Sequence, residues 1–431
     1  MVGFLATDDA LARDSYYDAT APRRMPHAPL QGELACDVAI VGGGLAGLSA
    51  AIELAERGYR VALLEARQVG AGASGRNGGQ AIAGLACDPS TIESQLGAEA
   101  ARMVWNTTLE ALDLLAQRSS RFGIDCEWQP GYLSLAVNAR KGRALRSWLD
   151  QMQRRYGYDA NWIAPADLPR WIDSPRFHSG LHDPRSGHLH PLKYTLGLAR
   201  AASRLGVQIH ERTPVTGITP GATVCLRTPQ GEVRASHVLL AGNVYLGGLA
   251  PALEKRIMPV GTYIVASEPL DPSLLRQLIP SRSAVCDTNF VLDYFRPTAD
   301  HRMLYGGRVS YSTATPANLA ASMQRRMAQS FPQLATTRIA HAWGGFVDIT
   351  MNRAPDFGRL HPNVYYVQGF SGHGVALTGL AGKLVAEAIA GQAERFDVYA
   401  RLRHRPFPGG RWLRMPALVL GMAYYRLRDL L

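Results

Sequence analysis

Gly42, Gly44 and Gly47 stand at G-x-G-x-x-G spacing within CDVAIVGGGLAGLSAAIELAERGYRVALLEA, and Glu65 follows eighteen residues after the last of them. The first glycine permits a tight turn, the second lets backbone approach a pyrophosphate, and the third lets a helix pack closely on a strand. A carboxylate at position 65 can accept hydrogen bonds from ribose hydroxyls and would repel a 2′-phosphate. These residue types at this spacing point to dinucleotide binding. They do not separate NAD from FAD, because both carry the same ADP moiety.

Such a site needs elements that hold it. Val38–Val41 is an apolar run suited to a buried parallel strand, and Leu48, Ala51, Ile52 and Ala55 repeat at helical spacing up to a stop at Gly58. A second strand over Arg60–Leu64 delivers Glu65. Far along the chain, Val364–Gly391 reads as strand, turn and helix, with Gly369-Phe370-Ser371-Gly372-His373-Gly374 at the turn. Backbone N–H groups at a helix start favour negative charge. A reduced flavin carries such charge at N1 and the C2 oxygen, so this second helix start suits an isoalloxazine and favours FAD. The glycine-rich loop over 70–80 fits too: Gly72, Gly75, Gly78 and Gly79 let backbone approach a planar ring, and Ser74, Arg76 and Asn77 offer hydrogen-bonding groups.

Between these motifs the pattern predicts one long helix over 92–122, a strand at 131–137, and strand–helix–strand from 186 to 211 with Pro191 at the helix entrance. Short alternating segments over 257–307 predict antiparallel strands. The expected organisation is an irregular arm over 1–34 and a nucleotide-binding domain in three pieces (35–122, 188–248 and 340–400). A second domain fills 123–187 and 249–339, and a basic, apolar tail covers 401–431.

Composition bounds the rest. A chain of 431 residues with 47% hydrophobic content fits a globular enzyme of two domains. Five scattered cysteines without a C-x-x-C predict reduced thiols rather than disulfides or a zinc site. His188 and His190 lie on one side of a strand, but no third ligand accompanies them, so no metal is expected. The start MVGFLATDDALARD lacks a basic n-region and a long apolar core, and no uncharged run is long enough to span a bilayer; a cytoplasmic protein is expected. The net charge is +11, with seven arginines against Asp429 in 401–431, and no nucleic-acid-binding motif accompanies it. No nucleic-acid partner is expected. The apolar part of the tail, Met415–Tyr425, could dock on the protein, contact another copy, or rest weakly on a membrane surface. Oligomeric state stays open.

The glycine fingerprint with Glu65, GASGRNGGQ, an expected strand at Val215 with ERTPV, and GFSGHG together resemble the D-amino-acid oxidase and glycine oxidase superfamily. SYYDAT at 15–20, GTYIVASEPL at 261–270, GGRVSYS at 306–312, PFPGG at 406–410 and YYRLRDLL at 424–431 are most similar to its gamma-glutamylputrescine oxidase group. The resemblance implies an α/β fold: an FAD-binding, Rossmann-like, doubly wound domain of glutathione-reductase type, interwoven with an α+β substrate domain that carries an antiparallel sheet. It implies that Gly42, Gly44 and Gly47 shape the pyrophosphate turn, Glu65 holds the adenosine ribose and Val215 meets the adenine side. Ser74, Arg76, Asn77, Gly78 and Gly79 would line the flavin ring, and Gly372, His373 and Gly374 would sit at its pyrimidine edge. Some relatives attach flavin through a cysteine in the C-terminal third; none lies beyond Cys286 here, so non-covalent FAD is expected.

The implied activity is oxidation of a primary amine, a gamma-glutamylated polyamine above all. Hydride transfer to flavin N5 and use of oxygen would yield aldehyde, ammonia and hydrogen peroxide. The alternative is a peripheral membrane amine or amino-acid dehydrogenase that passes electrons to quinone. Candidate residues for this chemistry are Gln80 facing substrate, Arg308 pairing with a substrate carboxylate, and His373 supporting charge near N1, with Tyr263 and Trp343 as aromatic pocket walls.

Overall fold

The computed structural model describes residues 8–23, 26–310 and 318–408, the side chains of 308–310 excepted. The apolar stretch of the tail therefore lies outside the described residues.

Among the described residues there are two sheets, and the first has eight strands. A parallel core runs in the order Val364–Gln368, Gly231–Leu240, Gly32–Val41, Val61–Leu64 and Gln208–His210. Asp356–His361 adds an antiparallel edge, and Gly217–Thr219, Val224–Thr228 and Gly231–Leu240 form an antiparallel meander. Val38 and Ile40 point into one apolar cluster with Leu48, Ile52 and Leu384, whereas Ala39 and Val41 point into another with Leu64, Val224 and Val238. Burial on both faces is why this strand reads as an unbroken apolar run.

The helix Leu45–Glu56 follows one parallel strand and Leu377–Ile389 follows another, so both helices start at the same edge of the sheet. They pack against each other at Gly382, where a Cβ would lie 2.4 Å from the Ala46 carbonyl oxygen and 2.6 Å from the Ala50 nitrogen. Contact this close needs glycine.

The second sheet has nine strands, among them Gln129–Ala136, Ser179–His188, Ile257–Ser267, Met303–Ser310 and Ile339–Thr350. It is antiparallel except where Ala284–Asp287 pairs parallel with Gln129–Ala136, which the alternating pattern alone did not foretell. Leu133, Val265, Val285, Phe295 and Tyr305 pack from it against Met323, Met327 and Phe331.

Several expectations need correction. The helix expected over 92–122 is two helices, Pro89–Leu96 and Ala98–Arg121, broken at Gly97 with φ +87°. Ile339–Thr350 pairs along its length with Ile257–Ser267, so the second sheet runs past the expected boundary at 340. Gln80–Ala81 also joins that sheet, through Ser179–His188. The arm is not irregular throughout: Tyr16–Thr20 is a helix capped by Ser15, and Tyr16 and Tyr17 are buried. Val215 lies in the connection before Gly217–Thr219, outside any strand. Among the described residues no helix is long and apolar enough to cross a membrane.

Replacing Gly382 by alanine should force the two helices apart and cost about 1–3 kcal/mol, as overpacking of a close contact does. Urea unfolding of the purified protein measures it, and an unchanged midpoint would contradict the tight contact.

Candidate functional site

A cavity of about 290 Å³ opens at the edge of the first sheet where the parallel strands end. Its wall includes Gly42, Gly44 and Leu45, Glu65 and Arg67, Ser74 and Asn77, Thr213 and Val215, and Gly372 and Gly374. Ligands of open α/β sheets bind at this kind of edge.

Each fingerprint glycine has its own reason. Gly42 has φ +114°, and a Cβ there would sit 2.7 Å from the Ala241 carbonyl oxygen. Gly44 is the N-cap of Leu45–Glu56 and brings no side-chain cap, so the helix start faces the cavity with backbone. Gly47 does not line the cavity; its Cβ would collide with the Gly42 carbonyl oxygen at 2.0 Å, so it sets how closely helix and strand approach. Glu65 accepts from the Gly43 N–H at 2.7 Å and the Arg67 N–H at 2.9 Å. Burial pushes its carboxyl up, and these two N–H groups pull it part of the way back.

In the glycine-rich loop, Ser74 Oγ accepts from the Leu45 N–H at 3.0 Å and so joins the loop to the helix start. Asn77 donates to the Ala73 and Ser74 carbonyls and accepts from the Gly79 N–H at 2.7 Å, which locks the turn. Arg76 points elsewhere: it is 6% exposed and pairs with Asp8 at 2.8 Å. Gly78 and Gly79 are not in the cavity wall. A Cβ on Gly78 would meet the Tyr294 ring at 2.6 Å, and one on Gly79 the Leu189 carbonyl at 2.1 Å, so these glycines let the loop lie flat on the second sheet.

The remaining candidates divide. Gly372 and Gly374 line the cavity, but the half-buried imidazole of His373 turns away and donates from Nε2 to the Ala83 carbonyl at 3.2 Å. Burial lowers the pKa of His373. Gln80 is tied into the second sheet, donating to the Val285 carbonyl at 3.1 Å and accepting from Cys286 Sγ at 2.9 Å. Tyr263 and Trp343, read as pocket walls, are 1% and 0% exposed and belong to apolar clusters; Trp343 donates to the Arg76 carbonyl at 3.0 Å. The two lie on opposite faces of the sheet, Trp343 towards Tyr16 and Tyr17 and Tyr263 towards Leu11 and Phe346, and both faces are covered. Arg308 stands opposite Tyr263 in the strand register, and its side chain is outside the described residues. His188 donates to the Arg282 carbonyl, and His190 caps the helix Pro191–Arg204. Among the described residues no cluster could hold a metal ion.

Sequence reasoning missed Asp348, Asn243, Tyr245 and Arg67, all in the cavity wall. Asp348 is buried in a strand of the second sheet, yet its Oδ2 accepts from the Gly369 and Phe370 N–H groups before the helix Leu377–Ile389. Burial pushes its carboxyl up to about 6, against the lowering effect of those bonds. Asn243 keeps a buried Oδ1 with no hydrogen-bond partner among the described residues, an acceptor that a ligand donor could fill. Only Arg67, two residues after Glu65, offered any signal in the sequence.

The family model for FAD-dependent oxidoreductases matches residues 37–388. The chain belongs to the FAD-dependent oxidoreductase family. It is 42% identical to gamma-glutamylputrescine oxidoreductase of Escherichia coli (strain K12), over 96% of this chain and 98% of the relative. It is 38% identical to a probable oxidoreductase, OrdL, of Haemophilus influenzae, over 96% and 97%. Among solved structures, glycine oxidase from Geobacillus kaustophilus superposes with a TM-score of 0.71 at 24% identity, covering 83% of this chain and 95% of that one. L-proline dehydrogenase from P. horikoshii gives 0.70 at 22%, covering 88% and 98%. These two share the fold.

FAD is the cofactor of this family, and the cavity suits it. Two helix starts meet at one edge, a carboxylate stands after the second strand, glycines keep backbone accessible, and the Asn243 acceptor is unsatisfied.

Asp348 gives a pH test. Its folded-state pKa is raised, so its contribution to stability is intact below about pH 4 and is lost as pH rises through 6. Asp348→Asn should therefore gain on the wild type between about pH 4.5 and pH 7.5, by up to about 2 kcal/mol. Urea unfolding of both flavoproteins at the two pH values reads the gap, and a constant gap would mean that Asp348 does not titrate in this range.

Proposed function

We propose that this flavoenzyme oxidises a primary amine of the gamma-glutamylated polyamine class. The observation that carries the reading is the 42% identity to a gamma-glutamylputrescine oxidoreductase across nearly the whole of both chains. Bound FAD would supply the two-electron oxidation of the amine-bearing carbon, with oxygen as the final acceptor; amine, water and oxygen would then give aldehyde, ammonia and hydrogen peroxide.

The chain's own residues then hold and orient. Glu65, with Thr213 and Val215 beside it, is suited to the adenosine half, and the Gly42–Leu45 turn to the pyrophosphate. Ser74, Asn77, Gly372 and Gly374 are suited to the ring. His373 and Gln80 act at one remove, His373 by fastening the Gly372–Gly374 turn to Ala83 and Gln80 by fastening the end of the loop to Val285. Arg308 is the candidate for a substrate carboxylate, since its fork would grip one in bidentate fashion. No cysteine is among the residues that line the cavity, in keeping with non-covalent FAD. The substrate amine has only to lose a proton before transfer, so the reading requires no catalytic triad.

Mixing the purified flavoprotein with gamma-glutamylputrescine under anaerobic conditions should bleach the flavin absorbance, and air should restore it with release of hydrogen peroxide. Bleaching with slow recovery in air but rapid recovery with a quinone or dye would replace the oxidase by a dehydrogenase. A bound flavin that this amine does not bleach would end the substrate assignment.

A further inference from the structure

The acidic residues at the start of the arm and the stretch SYYDAT have no part in the site as built so far, yet they lie directly against it. Asp8 is fully buried in a helix whose described part covers 8–12, and which Leu11 packs against Tyr263 and Phe346. Its carboxylate gathers three donors. Oδ2 pairs with Arg67 at 2.7 Å; Oδ1 pairs with Arg76 at 2.8 Å and accepts from the Tyr245 hydroxyl at 3.2 Å. Arg67 and Tyr245 are in the wall of the cofactor cavity, and Arg76 belongs to the loop that carries Ser74 and Asn77 into it. Asp9 also pairs with Arg67, at 2.9 Å, but it is exposed.

The rest of the arm grips the same loop. The Arg23 guanidinium donates to the Val69 carbonyl. His27 N–H donates to Glu211 Oε2 at 3.1 Å, and the other oxygen of Glu211 accepts from the Val69 N–H at 2.7 Å. Within SYYDAT, the Tyr17 hydroxyl accepts from Arg296 at 3.1 Å, and Arg296 donates to the Gly78 carbonyl at 2.7 Å. The arm thus reaches the loop at Arg67, Val69, Arg76 and, through Arg296, Gly78.

We propose that Asp8 is a positioning residue for FAD, and that the N-terminal arm is a strap whose hold on the loop over 67–79 retains the cofactor. Without the carboxylate, the buried Arg76 guanidinium loses its only ion pair among the described residues, and Arg67 and Tyr245 lose the group that aims them. An unpaired buried charge does not stay in place; the loop opens with it, and the cavity wall with the loop. This inference rests on the family's cofactor and is independent of which amine is oxidised.

The test is the rate at which the purified holoenzyme releases FAD, followed by recovery of flavin fluorescence on dilution at a temperature where circular dichroism shows every variant folded. Asp8→Asn should release FAD faster by on the order of tenfold, the effect of losing charge-assisted hydrogen bonds at a buried site. Asp14→Asn serves as the control. Asp14 anchors the same arm to Ala342 N–H at 3.1 Å and His341 at 3.2 Å, away from the loop, so its loss should leave the rate within about twofold, an exposed polar contact being weak. Release at the wild-type rate from folded Asp8→Asn overturns the proposal, as does equal acceleration by Asp14→Asn. If Asp8→Asn does not fold, Asp8→Glu decides: it keeps the charge but shifts it by one methylene, and should release FAD several-fold faster, whereas a wild-type rate overturns the strap. No substrate is used, so failure here leaves the amine reading untouched, and the reverse.

Discussion

The site depends on how closely two helices can approach the edge of one parallel sheet. Gly47 brings Leu45–Glu56 down onto its strand, and Gly382 brings Leu377–Ile389 down onto that helix, each where a single methyl group would collide with backbone. Two helix starts thereby share one edge and point partial positive charge into one cavity. The rest of the chain fills in around this geometry. The glycine-rich loop closes one wall through Ser74, the connection around Thr213 and Val215 another, and the segment 241–246 a third.

The second sheet contributes less by facing the cavity than by bracing it. Gly78 and Gly79 are small so that the loop can lie against Tyr294 and Leu189, and Gln80 continues directly into a strand of that sheet. Trp343 holds the Arg76 carbonyl from beneath, and the arm holds the Arg76 guanidinium from the other side. A cofactor loop clamped between a sheet and an arm can be rich in glycine without being loose, because its order comes from neighbours rather than from its own propensity.

What was legible in the sequence follows from this division. The turn at Gly42–Gly47, the strands beside it and Glu65 obey local rules of spacing, and they stand where those rules put them. Gly372 and Gly374 were equally readable, since a helix start after a strand is a local event. The types of Arg76, Gly78, Gly79, Tyr263 and Trp343 suggest lining groups, but no periodicity in a loop encodes where Arg76, Gly78 and Gly79 face, and Tyr263 and Trp343 lie in strands buried on both faces, where residue type does not tell which face meets the cavity. Asp8, Asn243, Tyr245 and Asp348 reach the site from segments far apart in sequence, and one of them sits inside an ordinary strand of the second sheet. The break at Gly97 was written in the sequence as a glycine, but the apolar spacing continued across it and concealed it.

The buried carboxylates raise an electrostatic difficulty that the geometry resolves. A pyrophosphate is an anion, yet Glu65 and Asp348 stand in the cavity wall and Asp8 just behind it. Each is turned to another donor. Glu65 accepts from Gly43 and Arg67 N–H groups, Asp348 from Gly369 and Phe370, and Asp8 is matched by two guanidinium groups. With their charge spent on fixed donors, and with burial favouring the neutral form of Glu65 and Asp348, these acids repel a bound anion less than free carboxylates would. The same bonds hold the two glycine turns in shape. Asp348 does this from the second sheet while gripping the turn that follows a strand of the first, so that a single side chain joins the two halves of the molecule at the wall of the cavity they share.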